Sequence, residues 1–146
     1  MNNIKELIII NRNSSMNYEE KIKILKSQYE KDIIKFEYKK NKINLKIVDQ
    51  SNDTIKLLLK WRKKFWNYFD TKFNGNSERT RNWIQGIFKN PKRILFLIFC
   101  NGEKIGHIGF DQYKKKQKSI IIQNVILGEK EKSPSGVFKK ILEKLI

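Results

Sequence analysis

The stretch that most constrains the fold lies between Arg93 and Asn101. Every residue of it is apolar, and no helix cap flanks it. A short apolar run of this kind reads as a buried strand. Asn101-Gly102 follows at once and is a strong two-residue hairpin signal. The chain then returns over residues 104–113, turns through the charged segment 114–118 and runs apolar again over 119–127. Consecutive strands joined by tight turns form an antiparallel meander. Gly106 and Gly109 fall inside the second of these strands. Interior glycines weaken a strand, so they mark a bulge or the close approach of another backbone.

Helices frame the meander. Residues 43–48 alternate apolar and polar through Ile43, Leu45 and Ile47, which predicts one more strand. Ser51, Asn52 and Asp53 can cap a helix, with Ile55, Leu58, Leu59 and Arg62 on one stripe and Trp61 beside it. An aromatic segment follows, broken by Asn74-Gly75-Asn76. Ser77 and Glu78 open a second helix, with Trp83, Ile84, Ile87 and Phe88 as its apolar face and Asn90-Pro91 as its stop. After a polar loop, Val137, Ile141, Leu142 and Leu145 fall in helical phase. The order strand, helix, helix, three strands, helix predicts an α+β layered domain over residues 43–146. Residues 1–42 read as a leader or the tail of a preceding domain. Residues 7–10 suit a short strand, and Ile22, Leu25, Tyr29, Ile33 and Phe36 predict an amphipathic helix over residues 18–40.

Composition narrows the function classes. The formal charge is +17, which by itself points to an anionic partner. The basic residues are 27 Lys and only 5 Arg, beside abundant Ile and Asn and no Ala. That is the mark of AT-rich codons, whereas phosphate recognition favours Arg forks. Nucleic acid is therefore disfavoured as a partner. No run of 18 apolar residues exists and residues 7–10 are too short for a signal peptide, so neither a membrane span nor export is expected, and a cytoplasmic location is. Cys100 is the only cysteine and His107 the only histidine, which rules out an internal disulfide and predicts no metal site. Cys100 reads as a buried structural thiol. No phosphate-binding lysine loop, serine-hydrolase elbow or dinucleotide fingerprint is present.

The ordered elements resemble those of the GNAT superfamily of N-acetyltransferases. Leu57 to Arg62, with Trp61-Arg62 at its end, resembles the first GNAT helix. Phe69-Asp70-Thr71-Lys72 resembles the segment after it. Asn82-Trp83 through Asn90-Pro91 and Arg93 to Ile98 resemble the second helix and the next strand. Asn101-Gly102 followed by Ile105-Gly106 and Ile108-Gly109 resembles the hairpin. Asn124-Val125-Ile126-Leu127-Gly128-Glu129 is similar to a strand end in the subgroup that acetylates amino sugars in bacterial surface-polysaccharide pathways, where Arg is usual at the position of Leu127. Ser135-Gly136 stands near that subgroup's Pro-Gly, with Pro134 one residue early, and the general Arg/Gln-x-x-Gly-x-Gly/Ala pattern is not clean. GNAT domains continue with a further strand, a helix and closing strands, so the resemblance implies a mixed, mostly antiparallel sheet, C-terminally incomplete at Ile146.

The resemblance implies transfer of an acetyl group from acetyl-CoA to a primary amine, that of an amino sugar or sugar nucleotide. Main-chain N–H groups at Asn124 and Val125 would stabilise the thioester oxyanion, though by periodicity alone the strand is ordinary core. His107 and Glu129 are the candidate acid–base groups beside them, with Asp111 as a further carboxylate; a lone strand histidine reads first as structural. Ile126, Leu127, Gly128, Lys132, Ser133, Ser135, Gly136 and Val137 would hold the coenzyme, as a polar loop running into a helix N-terminus suits a pyrophosphate. Trp61, Arg62, Trp66 and Asp70 occupy the acceptor-binding region, against the plainer reading of helix packing and a surface ion pair. The competing readings are a basic non-enzymatic module for nucleic acid or another polyanion, and an inactive remnant.

Overall fold

In a computed structural model of the chain, residues 16–65, 75–114 and 119–145 are described. Residues 7–10, the turn at 115–118, and Trp66 and Asp70 lie outside them. Helix α1 (Tyr18–Ser27) leads into strands β1 (Ile34–Tyr38) and β2 (Asn41–Ile47), then helices α2 (Asn52–Lys64) and α3 (Ser77–Lys89). Strands β3 (Ile94–Cys100), β4 (Glu103–Lys114) and β5 (Ser119–Leu127) follow, and helix α4 (Val137–Leu145) closes the described chain. The five strands form one sheet in chain order, and each neighbouring pair is antiparallel.

β3 is central, and its alternation builds both cores. Ile94, Phe96, Ile98 and Cys100 face one side, with Tyr18, Ile22 and Leu25 of α1 and Val137, Ile141 and Leu145 of α4. Leu95 and Leu97 face the other, with Ile55, Leu58 and Trp61 of α2 and Ile84 and Ile87 of α3. A strand covered on both faces needs no polar positions, which is why this run lacks them. The layers are therefore helix pair, sheet, helix pair, the α+β arrangement expected. Cys100 is buried in the first core, and desolvation raises its thiol pKa.

The helix starts follow their caps. Asn17 accepts from the Glu20 N–H at 2.9 Å, Ser51 from that of Thr54 at 3.2 Å and Asn76 from that of Arg79 at 2.8 Å. At the far end of α3, the Lys26 ammonium donates to the carbonyls of Ile87 at 3.0 Å and Asn90 at 2.5 Å. Burial, aided by Arg93, pulls its pKa down to about 8.

The N-terminal part departs from expectation. The helix predicted over residues 18–40 ends at Ser27, Glu30 turns left-handed at φ 70°, and the chain becomes β1. Ile33 and Phe36 fit a helical period, but Ile34, Phe36 and Tyr38 also alternate, and pairing with β2 decides for the strand. The β1–β2 hairpin turns on Lys39 and Lys40, both left-handed at φ 49° and 63°, without the Asn-Gly signal that marked Asn101-Gly102. The expected boundary at 42/43 falls inside β2.

The two outer strands differ in chemistry. β1 carries Lys35 and Glu37, whereas β5 has no charged residue and exposes Ile121, Ile122 and Val125. Both interior glycines of β4 are sites of close approach. A Cβ on Gly106 would lie 2.2 Å from the Ile126 carbonyl oxygen, and one on Gly109 3.1 Å from that of Ile94.

Gly106→Ala should therefore destabilise the chain by at least ~2 kcal/mol, because a backbone carbonyl cannot rotate aside. Gly86→Ala, in α3 with nothing within 4 Å of its new methyl, should stabilise it by about 0.5–1 kcal/mol. Urea unfolding midpoints of the two variants check both signs.

Candidate functional site

The site begins where β5 leaves regular register. Gly109 pairs with Gln123 and His107 with Ile126, so three steps along β5 match two along β4. One extra residue is accommodated as a bulge. Asn124 sits there in the left-handed region at φ 54°, a conformation that asparagine tolerates better than most residues. Val125 next to it is 46% exposed.

His107 lies under the bulge and is 2% exposed. Its ring centroid is 6.1 Å from that of Trp61 on α2 and 6.1 Å from that of Trp83 on α3. Its Nδ1 is 2.5 Å from the Asn124 carbonyl oxygen. A carbonyl can only accept, so Nδ1 carries the proton. Burial drives the ring pKa down to about 4, against a smaller opposing effect of that bond, so the imidazole is neutral at pH 7. Beside the bulge, Arg93 reaches the Asp111 carboxylate at 3.7 Å. With the Gln123 amide turned so that its oxygen faces the guanidinium, Arg93 also donates to Gln123 at 3.1 and 3.2 Å.

The loop after β5 is laid on α2. Gly128 is flat against the Trp61 indole, and a Cβ there would be 2.2 Å from the ring. Lys64 donates to the Gly128 carbonyl at 3.1 Å. Lys60 pairs with Glu129 at 3.6 Å, and the Glu129 N–H bonds the Ile105 carbonyl at 3.0 Å. A 3-10 turn spans Lys130–Lys132, and Ser133 returns its hydroxyl to the Glu129 carbonyl at 2.7 Å. Lys132 pairs with Glu103 at 3.2 Å, which raises its pKa. At the far end the Ser135 carbonyl accepts from the Tyr38 hydroxyl at 2.9 Å and from Lys39 at 3.0 Å. Gly136 is left-handed at φ 80° and leads into α4, whose first residue, Val137, is buried.

The sequence-derived candidates divide accordingly. Asn124, Val125, His107, Ile126, Gly128 and Glu129 gather around the bulge and the start of the loop. Ile126 faces the α2–α3 core, and Leu127 packs against the other. Ser135, Gly136 and Val137 stand at the loop's far end, and the hydroxyl of Ser133 is turned onto the loop itself. Trp61 is 0% exposed and fully enclosed, so packing beneath Gly128 replaces the expected role of stacking on an acceptor. Arg62, next to it, is half-buried, and desolvation lowers its pKa. His107 is enclosed and neutral rather than open to an incoming amine, and Asp111 is buried against Arg93. Sequence reasoning missed Trp83, Lys60, Lys64, Tyr38 and Lys39 as site neighbours. For the last two, only the alternation ending at Tyr38 pointed to a strand. Among the described residues no group of three or more His, Cys, Asp or Glu side chains is placed to hold a metal, and no helix is long and apolar enough to cross a membrane.

No protein-family profile and no curated protein matches the sequence. Solved structures do. One is the Salmonella typhimurium acetyl transferase that modifies the N-terminal serine of a 50S ribosomal subunit protein, with 20% identity, a TM-score of 0.56, and coverage of 70% of this chain and 60% of that one. RimL, a ribosomal alpha-N-protein acetyltransferase solved with coenzyme A, gives 23% identity and a TM-score of 0.57 at the same coverages. FdhC, a nucleotide-linked sugar GNAT, gives 20% and 0.50, covering 69% and 59%. The chain thus has the GNAT-type fold, and spans about 60% of the length of these structures.

The buried imidazole makes stability depend on pH. The folded pKa, about 4, lies below the ordinary 6.5. Above pH 6.5 both states hold a neutral ring; as pH falls toward 4 the unfolded chain binds a proton that the folded one refuses. Stability should fall across that window by on the order of 3 kcal/mol from this group. Urea titrations at pH 7 and pH 5 should show the drop, and His107→Asn should shrink it.

Proposed function

We propose that the chain carries the thioester side of an acyltransferase site, which moves an acetyl group from acetyl-CoA to a primary amine of an amino sugar or sugar nucleotide. The observation that carries this reading is the β5 bulge at Asn124, followed by a glycine-bracketed loop that enters a helix. A bulge frees main-chain donors from the ladder, and a thioester carbonyl needs such donors as it becomes an oxyanion. A structure of the same fold solved with coenzyme A, and FdhC, a nucleotide-linked sugar GNAT, support it.

In this reading the amine nitrogen attacks the thioester carbonyl carbon. The C–N bond forms and the carbonyl electrons move onto oxygen, facing the main chain of Asn124 and Val125. The C–S bond then breaks, the sulfur leaves with its electron pair, and the amine proton passes through water or a carboxylate to it. Glu129 is the carboxylate beside the strand end, held by Lys60; His107, neutral and enclosed, does not take that proton. Ile126 and Leu127 offer main chain to the coenzyme's pantetheine arm. Gly128 and Gly136 would allow close approach of the coenzyme's pyrophosphate to the loop, with Lys132, Ser133 and Ser135 as its polar neighbours and Val137 opening the helix beyond. Lys39, at the Ser135 carbonyl, adds a cation there.

A protein α-amine is the second acceptor reading, because the RimL-type structures superpose with higher TM-scores than FdhC does. Release of coenzyme A thiol, followed colorimetrically with an amino-sugar nucleotide and with a serine-initiated peptide, separates the two.

Calorimetric titration with coenzyme A tests the site itself. Gly136→Ala places a side chain at φ 80° and 2.8 Å from the Tyr38 hydroxyl. It should weaken binding by at least ~10-fold. Lys89→Ala, which removes an exposed charge at the end of α3, should leave affinity nearly unchanged. A loss from Lys89→Ala with none from Gly136→Ala would mean nonspecific charge attraction and would sink the site.

A further inference from the structure

We propose that His107 is a positioning residue for the acyl-transfer site: its ring N–H holds the Asn124 carbonyl, and so turns the Asn124–Val125 peptide until the Val125 N–H points away from the core as the oxyanion donor. The inference rests on the acyltransferase reading of β5 for its chemical consequence, but its geometry stands apart from it.

The argument starts with peptide planarity. None of the described peptide bonds is cis. In a trans peptide the C=O of one residue and the N–H of the next point in opposite directions. The Asn124 carbonyl is directed at His107 Nδ1, 2.5 Å away. The Val125 N–H must therefore point away from that ring, on the residue that is 46% exposed. Regular pairing would not give this orientation; the left-handed Asn124 and the extra residue in β5 do.

Left-handed asparagine is costly, and a bulge can slip, so something must hold it. The ring that does so is itself clamped. Trp61 and Trp83 flank it from two helices, and Gly128 presses on Trp61 from the loop that follows β5. Upstream, Arg93 pairs with Asp111 and, with the Gln123 amide turned, donates to its oxygen. The bulge is thus gripped on both sides, by groups from β4, α2 and α3 and by Arg93 just ahead of β3. Neutrality of the imidazole suits the role, as a neutral Nδ1–H tautomer donates constantly across the pH range where amines are acetylated.

Two substitutions separate positioning from packing. His107→Phe keeps an aromatic ring between Trp61 and Trp83 but removes the donor. His107→Asn places an amide N–H where Nδ1 was. Acetyl-CoA turnover with a saturating amine should fall about 100-fold in kcat for the Phe variant, with little change in KM for acetyl-CoA, and recover largely in the Asn variant. Nitrogen-15 NMR should show the Nδ1–H tautomer in the parent and a displaced Val125 amide resonance in the Phe variant alone. A folded Phe variant that retains parental kcat and an unmoved Val125 resonance overturns the proposal. So does an Asn variant as impaired as Phe, which would mark His107 as packing only. A parent that turns over no acetyl-CoA removes the acyltransferase reading; the positioning claim is then decided by the Val125 resonance, and its failure to move refutes it.

Discussion

Everything in this chain depends on a strand that is buried on both faces. β3 sends Phe96 and Ile98 into one core and Leu95 and Leu97 into the other, so neither helix pair can form its core without it. β4 and β2 flank β3 in antiparallel register, and α1 and α4 close one face while α2 and α3 close the other. The candidate site is built at the margin of that arrangement, where β5 is paired on one side only among the described residues.

The site is tied to the core by contacts that leave no slack. Gly106 and Gly109 let backbone carbonyls approach β4 where a side chain would collide. Gly128 does the same against the Trp61 indole. Between them His107 joins the β5 bulge to both α2 and α3. A polar ring in an apolar layer is tolerated because its one proton is accepted by a carbonyl. The oxyanion geometry proposed for β5 is thus a property of the core as much as of the strand.

Lysine is used here as much for covering aromatic surface as for charge. Lys26 lies over Phe88, Lys39 over Tyr38, Lys46 over Phe99, Lys64 over Phe65 and Lys144 over Phe36, each within 6 Å of the ring centroid. Their stems shield apolar rings while the ammonium groups stay near water or carbonyls. Five of the 27 lysines are placed in this way.

The meander, the three later helices and the buried state of Cys100 were legible in the sequence, because each rests on a local pattern: an apolar run, a cap, an Asn-Gly turn. Gly106 and Gly109 likewise announced a close approach. The strand β1 was not legible, since Ile33 and Phe36 satisfy two periods at once and only pairing with β2 chooses between them. The enclosure of Trp61 and His107 was not legible either. A tryptophan at the end of a helix and a histidine in a strand have no local signature of burial; their surroundings come from α2, α3, β4 and the loop after β5, more than 20 residues apart in sequence. The sequence by itself determined the β3–β4–β5 meander and which faces of its later helices are apolar, because those follow from local periodicity and tight turns. Only the tertiary structure decided that the lone histidine is neutral, enclosed and bonded to the Asn124 carbonyl, because burial and hydrogen-bond partners are supplied by residues that meet only after the sheet has formed.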